Sequence, residues 1–439
     1  MKPGSQAWPK KGCRVGGRPE ARRTAAAEWG GIRIMKKLQI ALIGIIGAVM
    51  VFLCMALGIS LSRGIPSAGS GNYSLVQEKK FPAQDIRSLK IDYGKGSSGS
   101  TDVLFYQGTG DEIIIREYMN YEPGQNQLSA IEQLGGELRI TGAGHRFFSF
   151  LSISFRGAYV EVYLPAGFAG DMETLTVKTI SGEISSEIGL TARGGFLAST
   201  TSGDMLFPEV QAEKIQVSST SGDIRLDSAL AEKQDISTTS GDITVEQARG
   251  ETKISSTSGE IRVSALEGPL RTSTTSGDIT LGQVTGSITL STTSGEIRLE
   301  EGEGDLDAES TSGDIRVGSL AGSFRMSTTS GELTVSRAGS FGRAPSVSGD
   351  IRVFLEDLTG DLDISTTSGT VDLAFPESAD FRFRFGTTSG DCGTFFDDAL
   401  SFDKRGKNAE GELGAGTHSV EISTVSGDLD IREFQGGDL

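Results

Sequence analysis

From residue 175 onward the chain repeats one pattern of apolar and polar positions around the tripeptide Ser-Gly-Asp/Glu. With the glycine at position 0, apolar residues fall usually at −7 and −5, Ser or Thr always at −3, and apolar residues at +2 and usually at +4. Ile215, Val217, Ser219, Ile224 and Leu226 form one such unit, and Phe324, Met326, Thr328, Leu333 and Val335 form another. Apolar spacing of two on either side of a Ser-Gly step that shifts the phase predicts two short strands joined by a turn or bulge.

The repeat glycines are Gly182, Gly203, Gly222, Gly241, Gly259, Gly277, Gly295, Gly313, Gly331, Gly349, Gly369, Gly390 and Gly427, and from Gly241 to Gly349 the interval is a constant 18 residues. A fixed short period implies one structural unit stacked on copies of itself. The steps from −7 to +2 and from +2 to the next −7 are both nine residues, so each coil has two similar sides enclosing a thin row of side chains. One coil cannot bury that row alone. Stacked in parallel about 4.8 Å apart, thirteen coils make a rod of roughly 60 Å with continuous internal ladders of Ile, Val, Leu and Ser/Thr.

The predicted fold is therefore all-β: a single-stranded parallel β-solenoid, right-handed and β-helix-like, with 18–21-residue coils. The hand follows the rule for parallel crossovers. No stretch after residue 65 carries a sustained helical apolar stripe. A left-handed hexapeptide helix would show three apolar positions six apart, where this sequence shows pairs nine apart.

Ahead of the repeat, residues Leu38 to Ser62 carry no charge, a length that predicts one transmembrane helix. Residues 1–63 hold eleven Lys/Arg against Glu20 and Glu28, nearly all of them before the apolar segment, which places the N-terminus in the cytoplasm and the solenoid outside. A cleaved signal peptide is the competing reading, but the apolar run is long and no clear Ala-x-Ala site ends it. Leu53 before Cys54 speaks against lipoprotein processing. Met35-Lys36-Lys37 resembles a normal start.

The domain reading is 1–37 basic cytoplasmic N-terminus, 38–62 transmembrane helix, 64–85 linker, 86–170 N-terminal β cap, 171–390 repeat solenoid, and 391–439 C-terminal hairpin and last coil. Strand-like runs such as Leu89-Lys90-Ile91, Val103-Leu104-Phe105-Tyr106 and Ile113-Ile114-Ile115 would cover the open edge of the first coil. Between Gly390 and Gly427 the interval is 37 residues, and the extra stretch reads as a hairpin inserted before one final coil, Val420 to Ile431. Phe395 and Phe396 in that stretch are a possible contact loop.

Charge separates the two ends of the chain. The total of −17 less the +9 of residues 1–63 leaves −26 for residues 64–439, which repels nucleic acid and anionic headgroups. Cys13, Cys54 and Cys392 read as unpaired thiols, without a redox or metal motif.

Candidate chemistry is sparse. An acid at +1 in twelve of thirteen units predicts a column of like charges, relieved by ion pairs from Arg225, Arg262, Arg298, Arg316 and Arg352 two residues later. A calcium ladder is the alternative, but the glycine-rich calcium-roll motif is absent. Outward pairs at −4 and −2, such as Ser237/Thr239 and Ser273/Thr275, read as stabilising hydroxyl ladders; ice or glycan binding would have to tolerate Glu309, Pro345 and Val347. The inward −3 hydroxyls are expected to bond locally at each glycine corner. His145 and His418 are the only histidines and lie far from each other, so neither a serine triad nor a His/Cys metal site is supported. No catalytic residue, cofactor, metal or small-molecule substrate is expected.

Leu89-Lys90-Ile91, Val160-Glu161-Val162-Tyr163-Leu164-Pro165 leading through Leu175-Thr176-Val177 to Ser181-Gly182-Glu183, and Val420-Glu421-Ile422-Ser423-Thr424-Val425-Ser426-Gly427-Asp428 together resemble the bacterial putative-adhesin domain family, also called toastrack domains, over roughly residues 86–435. The resemblance implies a β-solenoid, commonly tethered by one membrane helix and associated with surface or envelope-stress roles, and it implies no catalytic residues. The expected function is a non-enzymatic, membrane-anchored surface protein at the cell membrane that contacts an envelope protein or a glycan. The alternatives are a polysaccharide-acting enzyme on a β-helix and an accessory of a cell-envelope stress system.

Overall fold

A computed structural model describes residues 73–94, 100–143, 157–168, 172–338, 342–396, 400–403 and 407–434, all within one compact unit. The predicted membrane helix, the basic N-terminus, Met35, Cys13, Cys54 and His145 lie outside the described residues. Among the described residues no helix is long and apolar enough to cross a membrane.

Among the described residues the unit is all-β, with strands joined into one continuous ladder, mostly parallel, and short 3-10 segments such as Ala83–Asp85 and Gln125–Gln127. Each regular coil contributes a strand before its glycine corner and another after it. The strands stack one coil apart: Ile261 pairs with Ile279, which pairs with Ile297, and Leu270 pairs with Ile288, which pairs with Leu306. This is the stacking that the 18-residue period requires. Isoleucines at +2 (Ile224, Ile243, Ile261, Ile279, Ile297, Ile315) form one fully buried column. Each contributes about 1.5–3 kcal/mol of apolar burial, an upper range because unfolded chains already bury some surface.

The glycines are required by the approach of neighbouring backbones. A Cβ on Gly222 would collide with the carbonyl oxygen of Gly203, one on Gly241 with that of Gly222, and the column continues in this way to Gly369. A second corner lies nine residues after each first one. Gly250, Gly268 and Gly286 hold it with φ of 115°, 135° and 124°, where a side chain is strained. Gly304 and Gly322 continue that second column.

At the N-terminal end the spatial order departs from chain order. The strands are β1 (Ser74–Pro82), β2 (Ser88–Asp92), β3 (Ser100–Gly108), β4 (Glu112–Met119), β5 (Ala130–Leu134), β6 (Glu137–Thr141), β7 (Gly157–Pro165), β8 (Thr174–Lys178) and β9 (Ile184–Ser186). The first coil, β2 and β3, sits inside the stack: β2 lies between β6 and β8, and β3 between β7 and β9. Antiparallel β5 covers β6, while β4 and then β1 cover β7. β1 occupies a stretch expected to be linker. Its exposed Lys, Glu and Ser positions give it little apolar alternation, since it adds to an edge and buries little.

The C-terminal end shows the same inversion, against the expectation that Val420 to Ile431 forms the outermost coil. Strand His418–Ser426 lies between Leu362–Ser368 and Phe381–Ser389, and Leu429–Glu433 lies between Val371–Phe375 and Cys392–Thr394. The glycine column accordingly runs Gly369, Gly427, Gly390. The coil around Gly390 is outermost, filled by buried Phe381, Phe383 and Phe385 and covered by the antiparallel strand Asn408–Leu413.

Candidate interaction surfaces

At most of the regular corners the −3 hydroxyl is bonded locally. Its oxygen accepts the N–H of its own corner glycine, as in Gly222 to Ser219 at 2.8 Å and Gly277 to Thr274 at 3.1 Å. Where the residue is threonine it can also donate to the neighbouring coil's glycine carbonyl, as Thr238 does to Gly222 at 3.3 Å. These buried hydroxyls stitch coil to coil, so the expected local bonding is found and extended.

The +1 acids divide by length. Aspartates accept the backbone N–H of the +1 residue in the adjacent coil: Asp204 from Asp223 at 2.9 Å, Asp223 from Asp242 at 2.8 Å, Asp242 from Glu260 at 2.8 Å and Asp314 from Glu332 at 2.9 Å. Three of the glutamates at the same position are served by arginines instead. Glu260 pairs with Arg262, Glu296 with Arg298 and Arg316, and Glu332 with Arg352. The ion pairs expected from sequence thus hold at these glutamates and between Arg316 and Asp314 at 2.7 Å, while Arg225 turns to Asp227 and Glu246. Burial works to raise the Glu296 carboxyl, but hydrogen bonds from Arg316 and Arg298 hold it below its ordinary value. Asp223 is pushed up by burial and by Asp204 and Asp242, against the hydrogen bond from Asp242 N–H.

Phe395 and Phe396 separate. Phe396 is buried, edge-on to Phe381 and Phe383 with centroids 5.5 and 5.6 Å away, and plugs the outermost coil. Its role as an exposed contact is therefore corrected; only Phe395, 38% exposed, reaches solvent. His418 begins the inserted strand, Cys392 forms no disulfide, and among the described residues no group of His, Cys, Asp and Glu could hold a metal.

The feature that sequence reading missed lies on the N-terminal cap. All seven tyrosines of the chain fall between residues 73 and 163, and five of them share the outer face of β4, β7 and β3. Tyr118 stacks on Tyr159 with centroids 4.6 Å apart, Tyr73 tilts against Tyr159 at 5.2 Å, and Tyr106 stacks on Tyr163 at 5.4 Å. Cross-strand register builds the grid: Tyr118 faces Tyr159, Arg116 faces Glu161, and Tyr106 faces Tyr163. Arg116 lies over the Tyr163 ring, 5.0 Å from its centroid, while its Nε donates to Glu78 at 2.8 Å. The Tyr163 hydroxyl donates to Glu161 at 2.9 Å. Burial first and Glu161 second push the Tyr118 hydroxyl up to about 12. The clustering in sequence was the available signal.

Beneath this face, inside the cap, the Glu117 carboxylate accepts from the Ser129 hydroxyl and from Ser129 N–H, and Tyr93 meets the Ser129 hydroxyl at 2.9 Å. Burial raises the Glu117 carboxyl, and the Ser129 hydrogen bonds only partly offset it.

No curated protein matches the chain. It is similar to a solved putative cell adhesion protein from Clostridium sporogenes ATCC 15579, with 10% identity over 82% of this chain and 99% of that one and a TM-score of 0.16. It is similar as well to putative adhesins from Parabacteroides merdae ATCC 43184 and Parabacteroides distasonis ATCC 8503. Their identities are 15% and 17%, each over 70% of this chain and 98% of the other, with TM-scores of 0.23 and 0.25. The sequence pattern of the Toastrack DUF4097 family matches residues 95–284, 282–344 and 319–432, an unbroken run that takes in well over half of the chain. The chain belongs to the Toastrack DUF4097 family.

Proposed function

We propose that the chain is a non-enzymatic surface protein, tethered to the cell membrane by residues 38–62, whose solenoid stands outside the cell as an adhesin-like contact rod. The observation that carries this reading is where the repeat's polar groups are spent. Many of the inward hydroxyls and +1 acids are engaged within a corner or between neighbouring coils, so the recurring chemistry builds the rod, and the rod presents long ordered faces of the kind repeat proteins use for binding. The lysines and arginines ahead of the uncharged segment support an N-terminus in the cytoplasm.

The test is accessibility on intact cells. With an epitope fused to Leu439, protease added outside is expected to remove the tag while a cytoplasmic marker survives. A tag that resists until the membrane is broken contradicts the reading.

A further inference from the structure

We infer that the tyrosine face of the N-terminal cap is a docking surface for an arginine-rich polypeptide segment. The inference deepens the contact-rod reading by naming the partner's chemistry and the residues that meet it.

The chain has 21 phenylalanines, and those that are fully buried, such as Phe105, fill the interior, whereas the rings turned outward on this face are all tyrosines. Tyr73, Tyr106, Tyr118, Tyr159 and Tyr163 are each half-buried, with the rings packed on one another. Tyrosine rings in such settings combine large contact area with a polar tip.

The charge of the face complements an arginine-rich segment. Glu161 lies in the middle of the grid, Glu78 at one side, and Asp102, Glu183 and Glu187 at the other, against Arg116 and the exposed Lys80. The negative field reaches the rings: after burial, the carboxylates of Glu187 and Glu161 are the next causes that raise the Tyr106 hydroxyl. Aromatic faces and carboxylates together select cations.

Arg116 shows how a guanidinium seats here, with its Cζ over the Tyr163 ring and its Nε on Glu78. The Tyr118/Tyr159 pair and the outer side of the Tyr106/Tyr163 pair repeat the same neighbours, ring beside carboxylate, about 13 Å apart along the strand. Arginine suits such seats better than lysine, because its planar fork stacks on rings and binds carboxylates at once. A neutral apolar partner would instead have to desolvate the Arg116, Glu78 and Glu161 row with nothing to pair it.

The probe is nona-arginine, titrated by calorimetry into the full-length protein in detergent, so that failure here leaves the cell-surface location untouched. Binding should weaken about tenfold in the doubly substituted Tyr118→Leu, Tyr163→Leu protein and stay within threefold in the Tyr118→Phe, Tyr163→Phe protein. It should change less than twofold in Glu296→Gln, Glu332→Gln, which removes two charges from distant coils. On the unaltered protein, a photo-crosslinking nona-arginine should attach within residues 73–187. Equal binding by the leucine variant, equal loss in the distant variant, or crosslinks spread along the repeats would overturn the inference. So would tyrosine-dependent binding of neutral cellohexaose, or a dimer that becomes monomeric in the leucine variant.

Discussion

The α-carbon of Gly427 packs against the carbonyl oxygen of Gly369, although Gly390 stands between them in the sequence. The last coil is therefore wedged under the one before it, and Phe381–Ser389 is hydrogen-bonded to the stack through His418–Ser426, with the Phe381 ring also packed on Phe375 at 4.9 Å between centroids. Ending the chain after Thr417 should leave that outer coil unsupported, with the buried Phe381, Phe383 and Phe385 exposed. Limited proteolysis should cut within residues 381–413 at least ten times faster, while the coils from Gly241 to Gly349 keep their resistance. Unchanged cleavage would mean that the outer coil stacks without the inserted one.

Gly277→Ala places a methyl group into the carbonyl of Gly259, backbone against backbone, where neither can yield cheaply. The expected cost is about 3 kcal/mol. Gly393→Ala is the comparison, since its nearest neighbour is a side-chain oxygen of Asp430 at 3.8 Å, and it should be within about 0.5 kcal/mol of the parent. Because repeat arrays unfold in parts, hydrogen exchange of the flanking strands is the proper readout. Similar loss of protection in both variants would contradict the column.

Removing the carboxylate at Asp242 should cost more than removing the one at Glu296. Asp242→Ala removes the charge-assisted acceptor that ties the Glu260 N–H to the next coil, a loss of about 1–2 kcal/mol that is nearly independent of salt. Glu296→Ala loses half-exposed arginine pairs worth under about 1 kcal/mol, and that loss should shrink in high salt. Chemical denaturation at two ionic strengths distinguishes them; a reversed order would show that ion pairs carry the corner.

Glu117 makes the cap sensitive to pH. Its folded-state carboxyl is raised above the ordinary 4.5, chiefly by burial, so the folded protein holds this proton more tightly than the unfolded chain does. Its stabilising contribution is present at low pH and is lost as pH rises from the ordinary value through the raised one. Glu117→Gln keeps an oxygen for Ser129 and carries no charge, so between pH 4 and 7 the variant should lose less cap stability than the parent. Parallel pH profiles of hydrogen exchange in β4 would contradict this assignment.

The repeat was legible because steric need writes the same residues every 18 positions: no other residue fits at Gly241 or Gly259, and Ile recurs where the interior is narrow. The second corner was not singled out, since glycine marks it clearly only from Gly250 to Gly322. The inverted order at the C-terminal end was hidden for a different reason. Val420 to Ile431 has the same inward pattern as every other coil, and a pattern that fits any slot does not say which slot it fills. Phe396 read as exposed because it lies in a turn, whereas the outermost coil needs a large ring to close its end. The tyrosine face arises from register between strands distant in sequence, so only its composition showed beforehand.

The stacking order can be read directly by pairwise cysteine crosslinking, in a protein whose Cys13, Cys54 and Cys392 are replaced by serine. Ser426 is the register partner of both Ser368 and Ser389, about 4.8 Å from each, which leaves Ser368 and Ser389 roughly 10 Å apart and beyond disulfide reach. Oxidation should join cysteines at 368 and 426, and at 389 and 426, but not at 368 and 389. A disulfide between 368 and 389, with none to 426, would mean that the coils stack in chain order.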